Sequence, residues 1–154
     1  MALPTYTTTY DAVEAMQSAF DAYWSAQPVR SVVVYDNVGL DPVQYAVPII
    51  SDDSEVQGEA VLVMQVLHST GQIAALGTLL HRQFGFMVGA LYVESGRGRV
   101  RTVGKLGDAV LKFFQTVNVA GVTFSNPRLN EVGPDGRWWQ INIATDFQYD
   151  IVRS

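Results

Sequence analysis

The chain has 154 residues, 48% hydrophobic and 16% charged, with 15 acidic against 10 basic residues and no cysteine. That length suits one domain with a substantial core, and the apolar fraction excludes a disordered chain. The missing thiols exclude a disulfide framework, a thiolate metal site and a cysteine nucleophile, and no apolar run approaches the ~18 residues of a membrane span.

Residues 1–9 read as an extended arm without the basic and apolar regions of a secretory signal, so the default expectation is a soluble domain made in the cytoplasm. Thr8 with Asp11 three residues later predicts a helix cap. Val13, Met16, Phe20, Tyr23 and Trp24 then draw an apolar stripe, and Glu14, Ser18, Asp21 and Ser25 the opposite face. This first helix should end near Gln27, before Pro28. Ser31 to Tyr35 is a β-branched strand, left through the turn residues Asp36 to Pro42. Residues 44–50 read as a second strand, broken or at an edge because of Pro48. Residues 51–58 form an acidic loop. Asp52, Asp53, Glu55 and Glu59 lack the spacing and central glycine of an EF-hand, so a solvated loop is favoured over a calcium site.

Glu59 to Leu67 is a strongly apolar strand, followed by a turn at residues 68–71. Residues 73–80 fit a connection, a short helix or a strand. From Phe84 to Val93 nearly every residue is apolar or glycine, as in a central strand covered on both faces. Gly85 and Gly89 share one face, where another element can approach closely. After Gly98 the period changes: Val100, Val103, Gly107, Val110 and Phe114 mark the core stripe of a second helix, with Arg101, Lys105, Asp108 and Lys112 on its far side. Residues 117–124 read as a strand and 125–136 as a loop. From Trp138 to Tyr149 clean alternation predicts a half-buried antiparallel strand, with Trp139, Ile141, Ile143, Phe147 and Tyr149 inward. The helices sit outside a βαβαβ rhythm, so the fold class is α+β with a mostly antiparallel sheet flanked by two main helices.

Catalytic patterns are not recognisable. Gly96 and Gly98 begin like a dinucleotide fingerprint, but Arg101 stands at its third glycine; a Walker A reading fails on spacing and on Leu106. An anion could meet the second helix at its N-terminus near Arg97, Arg99 and Arg101, although arginines facing solvent or a neighbour are favoured. His68 and His81 do not make a zinc site. Trp138 and Trp139 lack the basic surroundings of a base-stacking sheet. No catalytic residue, metal or cofactor is expected, and the reading leans to a structural role rather than an enzyme.

Charge is unevenly divided. Residues 1–81 hold nine acids and one base, net −8, while residues 82–154 hold six acids and nine bases, net +3. This is either an accident of surface sequence or complementary faces on identical subunits. On the second reading, acids at residues 51–59 meet Arg97, Arg99 and Arg101 of a neighbour, with Leu106, Phe113 and the loop around Arg128 as further contact candidates.

Three stretches resemble the tail terminator proteins of long-tailed bacteriophages. They are the helix carrying Phe20 and Trp24 with residues 32–42; residues 82–93 with Gly96, Gly98 and the helix after them; and residues 121–124, Pro127, residues 136–139 and residues 146–150. The resemblance implies a single small α/β domain over residues 1–154. It also implies a structural virion protein that closes as a hexameric ring on the head-proximal end of the tail tube, after assembly in the host cytoplasm. Such a ring stops tube polymerisation and offers a surface to the neck or head connector. Its partners would be copies of itself, the tail-tube protein and the connector, with DNA only passing through the lumen and no membrane. The family supplies no catalytic residues to carry over. The alternatives are another head–tail connector or tube-like virion protein and, from a different class, a small ligand-binding domain or enzyme.

Overall fold

The structure, a computed structural model, describes residues 6–35, 41–69, 72–75, 80–96 and 98–152. Helix α1 (Thr9–Ser25) begins where Thr8 accepts the Asp11 N–H at 3.1 Å, and the Thr7 hydroxyl donates to the Asp11 carboxylate at 2.9 Å. The cap satisfies one of the backbone donors that a helix start leaves unpaired. Met16, Phe20 and Trp24 are buried and Tyr23 half-buried, with Ala12 rather than Val13 completing the inner line. The Trp24 indole donates to the Ser31 carbonyl at 2.8 Å, tying the helix end to strand β1 (Val32–Tyr35).

The sheet also contains β2 (Val47–Pro48), β3 (Glu59–His68), β4 (Gln72–Ala75), β5 (Leu80–Glu94), β6 (Thr123–Asp135) and β7 (Trp138–Val152). Among the described residues its order is β1-β3-β5-β7-β6, with β2 beside β3 and β4 beside β5. Only β1 joins its neighbour in parallel; the other pairs are antiparallel. With α2 (Arg99–Thr116) the fold is α+β, as expected.

Both helices lie on one face. Met87, Leu91, Val93, Ile141, Ile143, Phe147 and Tyr149 point into that layer and are buried. Gly89 and Gly107 bring α2 close: a Cβ on Gly89 would sit 3.6 Å from Val110, and one on Gly107 2.8 Å from Ile141. The close approach expected at Gly89 is thus made by α2. At Gly85 the neighbours are the Leu67 carbonyl and the Phe147 ring.

Several expectations need correction. Strand β5 is central but not covered on both faces by the described residues: its odd positions from 85 to 93 are buried, while Phe84, Val88, Ala90 and Tyr92 are half-buried and Phe86 is 40% exposed. Residues 44–50 are not one strand. Asp41 caps a 3₁₀ turn at Pro42–Tyr45, and only Val47 and Pro48 pair with β3. Residues 117–122 connect elements, and the stretch read as a loop is edge strand β6. An edge strand tolerates Pro127, Pro134 and Gly133 because one row of its backbone groups needs no partner in the sheet; register shifts beside these residues absorb the misfit. Arg128 therefore sits on a strand. Of the ambiguous residues 73–80, Ile73 to Ala75 belong to β4 and Leu80 opens β5, while residues 76–79 lie outside the described residues, as do Thr70 and Gly71 of the preceding turn.

The helix stripe also needs widening and shifting. Val103, Gly107, Val110 and Phe114 are buried as expected, but Val100 is 76% exposed. Leu106 and Phe113, expected to contribute contact surface, are fully buried. Helix α2 packs against the sheet on one side and α1 on the other: Phe113 meets Phe20 edge-on at 5.0 Å and Tyr23 at 5.3 Å, and the Tyr23 hydroxyl donates to the Ala109 carbonyl at 2.7 Å. Two packing partners bury a wider arc than one stripe describes.

Candidate assembly surface

The acidic loop folds back on the start of α2 of its own chain. Ser51 organises it, accepting the Asp53 N–H and donating to the Asp53 carbonyl, both at 2.9 Å. Val56 anchors the loop in the core. Arg101 Nη2 lies 2.8 Å from the half-buried Asp53 carboxylate, with Glu55 at 3.5 Å from Arg101 Nε and Lys105 at 4.0 Å from Asp53. The Glu55 N–H and then the Arg101 guanidinium hold the Asp53 carboxyl below its ordinary range, and Asp53 raises the Arg101 guanidinium in return. The loop is therefore cross-linked within the subunit rather than simply solvated. Two acids and one arginine expected to meet across subunits already meet in one chain. Arg97 lies outside the described residues.

Arg99 takes a different role, its guanidinium resting 3.8 Å from the Trp139 ring centroid. Glu59 and Glu94 flank Arg137 at 3.8 and 2.9 Å. Asp52 is exposed and makes no ion pair among the described residues. Arg128 bonds Asp146 at 3.0 Å, with its guanidinium 5.9 Å from the Phe86 ring. Arg82 and Asp150 form a two-pronged pair at 2.9 and 3.3 Å.

These last two pairs identify the open sheet face. On β5 and β7 the even-numbered residues point away from the helices, bringing Phe84, Phe86, Val88 and Ala90 into one line along β5, with the Arg82–Asp150 pair before Phe84 and the Arg128–Asp146 pair level with Phe86. Leu67 on β3 adds a 48% exposed apolar side chain. Val61 and Val63 on the same face are buried where the 3₁₀ turn packs on β3. Charge matched in place, with apolar surface beside it, resembles the interior of a protein contact more than a small-molecule site.

Sequence reasoning missed two further apolar surfaces at the sheet edges. At the β2 edge, Tyr45, Val47 and Ile50 are 38%, 45% and 56% exposed. At the opposite edge, a groove of about 500 Å³ runs between α2 and β6, lined by Arg99, Val100, Val103, Leu129, Glu131 and Trp139. Leu129 is 40% exposed and Val132, three residues further along β6, 52%. Val100 had a visible signal, but the 3.6-residue period assigned it to the core; in the first turn its neighbours Arg99 and Arg101 meet Trp139 and Asp53, while Val100 lines the open groove.

Among the described residues, no group of three or more His, Asp or Glu side chains could hold a metal. His68 lies against Phe147 and Tyr149, bonded to the Tyr149 hydroxyl, and burial lowers its pKa. It is an exposed histidine resting edge-on against two aromatic rings at the end of β3. No helix among the described residues is long and apolar enough to cross a membrane. No family model matches the sequence, and neither does any curated protein.

Proposed function

We propose that this protein is a structural ring subunit that caps the head-proximal end of a phage tail tube, stops its polymerisation and offers a surface for neck or head joining. The observation that carries the reading is the distribution of uncovered surface: an open apolar sheet face with its ions paired in place, and apolar patches at both edges. A subunit built into an assembly has use for several such surfaces, and different patches on opposite edges suit head-to-tail closure. The resemblance noted above supports the same reading, because its matched stretches fall on α1–β1, β5–α2 and β6–β7, which form the framework of the fold. The ring would have six copies, with tail-tube and connector proteins as partners, DNA passing through its lumen and the virion tail as its place. Phosphate contacts create DNA affinity, so the net charge of −5 suits passage rather than grip.

Native mass spectrometry and negative-stain electron microscopy of the protein, alone and with tail-tube protein, test this. The expected result is a hexamer on tube ends and shorter tubes as its concentration rises. A protein that stays monomeric in both conditions, or binds along tube sides without limiting length, would refute it.

A further inference from the structure

The two edge patches lie at opposite ends of one row of the sheet. Val47 pairs with Ala60, Ala60 with Val93, Val93 with Trp139, and Trp139 with Pro134. Four strand spacings separate the ends, roughly 19 Å at the usual separation. Tyr45, Val47 and Ile50 mark one end; Val100, Leu129 and Val132 mark the other, with Trp139 in the groove.

The charges around them are complementary. At the first end, Arg30 pairs with Ile50 through the backbone and Asp52 follows two residues later. At the groove stand Arg99 and Glu131. None of these four makes an ion pair among the described residues, whereas Arg82, Arg101, Arg128 and Arg137 all do. Each end thus carries, beside apolar surface, one cation and one carboxylate without an ion-pair partner among the described residues; Arg30 donates to the Gln27 carbonyl at 2.7 Å and Arg99 rests on Trp139. Opposite charges set register, and apolar burial supplies the holding energy.

We infer that the Tyr45–Val47–Ile50 edge of one subunit seats in the Val100–Leu129 groove of a second copy, head to tail, with Asp52 facing Arg99 and Arg30 facing Glu131. This rests on the ring reading above and names the contact that closes the ring. The patches differ and lie at opposite edges, so the contact leaves a free edge and a free groove on every pair. It therefore propagates until it closes.

The cysteine-free sequence makes the test clean. Ile50→Cys and Val100→Cys replace exposed side chains, and a short bismaleimide reports their proximity. The double variant should give a ladder of cross-linked species ending at ring size. Each single variant should give no cross-linked dimer alone, and their mixture should give dimers and nothing larger. Single variants that cross-link with themselves, or a double variant that stays uncross-linked while native mass spectrometry shows intact rings, would overturn this contact and leave the ring reading standing. Wild-type protein that remains monomeric with and without tail tubes would overturn the ring reading, and this contact with it. If either cysteine variant melts more than a few degrees below wild type, Val47→Cys and Val132→Cys provide the same test at the same edges.

Discussion

Phe113→Ala separates a core role from a contact role for the side chain that periodicity placed at the helix flank. Phe113 is fully buried, with its ring 5.0 Å from Phe20, 5.3 Å from Tyr23, 5.7 Å from Phe114 and 6.0 Å from Phe124. It forms the aromatic joint between α1, α2 and β6. Truncating a buried phenylalanine costs about 3–5 kcal/mol, because transfer energy is lost and a cavity remains. The Phe20 and Tyr23 contacts favour the upper half of that range. At about 4 kcal/mol, and about 2–4 °C per kcal/mol for a chain of this size, melting should fall by roughly 8–16 °C. The assay is thermal and urea unfolding of the monomer by circular dichroism, below the concentration of assembly, with Val100→Ala as the exposed control, expected within about 0.5 kcal/mol of wild type. A Phe113→Ala monomer that loses less than about 1 kcal/mol, yet no longer assembles, would refute the core assignment and restore the contact role.

Val110→Asp should bury an unpaired carboxylate beside Gly89 and cost several kcal/mol, leaving little cooperative unfolding signal; wild-type-like melting would mean that α2 presents another face. Gly85→Ala should destabilise by about 1–3 kcal/mol, since its Cβ would fall 2.1 Å from the Leu67 carbonyl oxygen and 2.6 Å from Phe147; an unchanged urea midpoint would contradict that geometry. Asp53 supplies a pH test. Its folded pKa is lowered by the Glu55 N–H and Arg101, so its contribution is fully present above the unfolded pKa of about 4 and is lost as pH falls through the lowered value. An Asp53 carboxyl that titrates by NMR at or above the ordinary value would show that the loop is not docked on Arg101.

Much of the framework was legible in the chain. The α1 cap, the apolar lines of both helices, the alternation of β7 and the central place of β5 are local patterns, and local patterns report backbone conformation and one buried direction. Hence Met16, Phe20, Trp24, Val110, Ile141 and Ile143 read correctly as core. What the sequence could not decide was how many partners each face meets. Phe113 is buried because α1 lies beside α2, a relation between elements almost ninety residues apart. The apolar run of β5 looks the same whether its second face meets this chain or another. Residues 125–135 carry the glycine and prolines of a loop yet lie in β6, because an edge position relaxes the demand for paired backbone groups. Charge shows this most directly. Composition separates an acidic half from a basic half, but only the tertiary structure returns Asp53 and Glu55 to Arg101, leaving Asp52, Arg30, Arg99 and Glu131 without ion-pair partners among the described residues. Net charge is a sum over residues, whereas an ion pair depends on distance, and folding sets the distance.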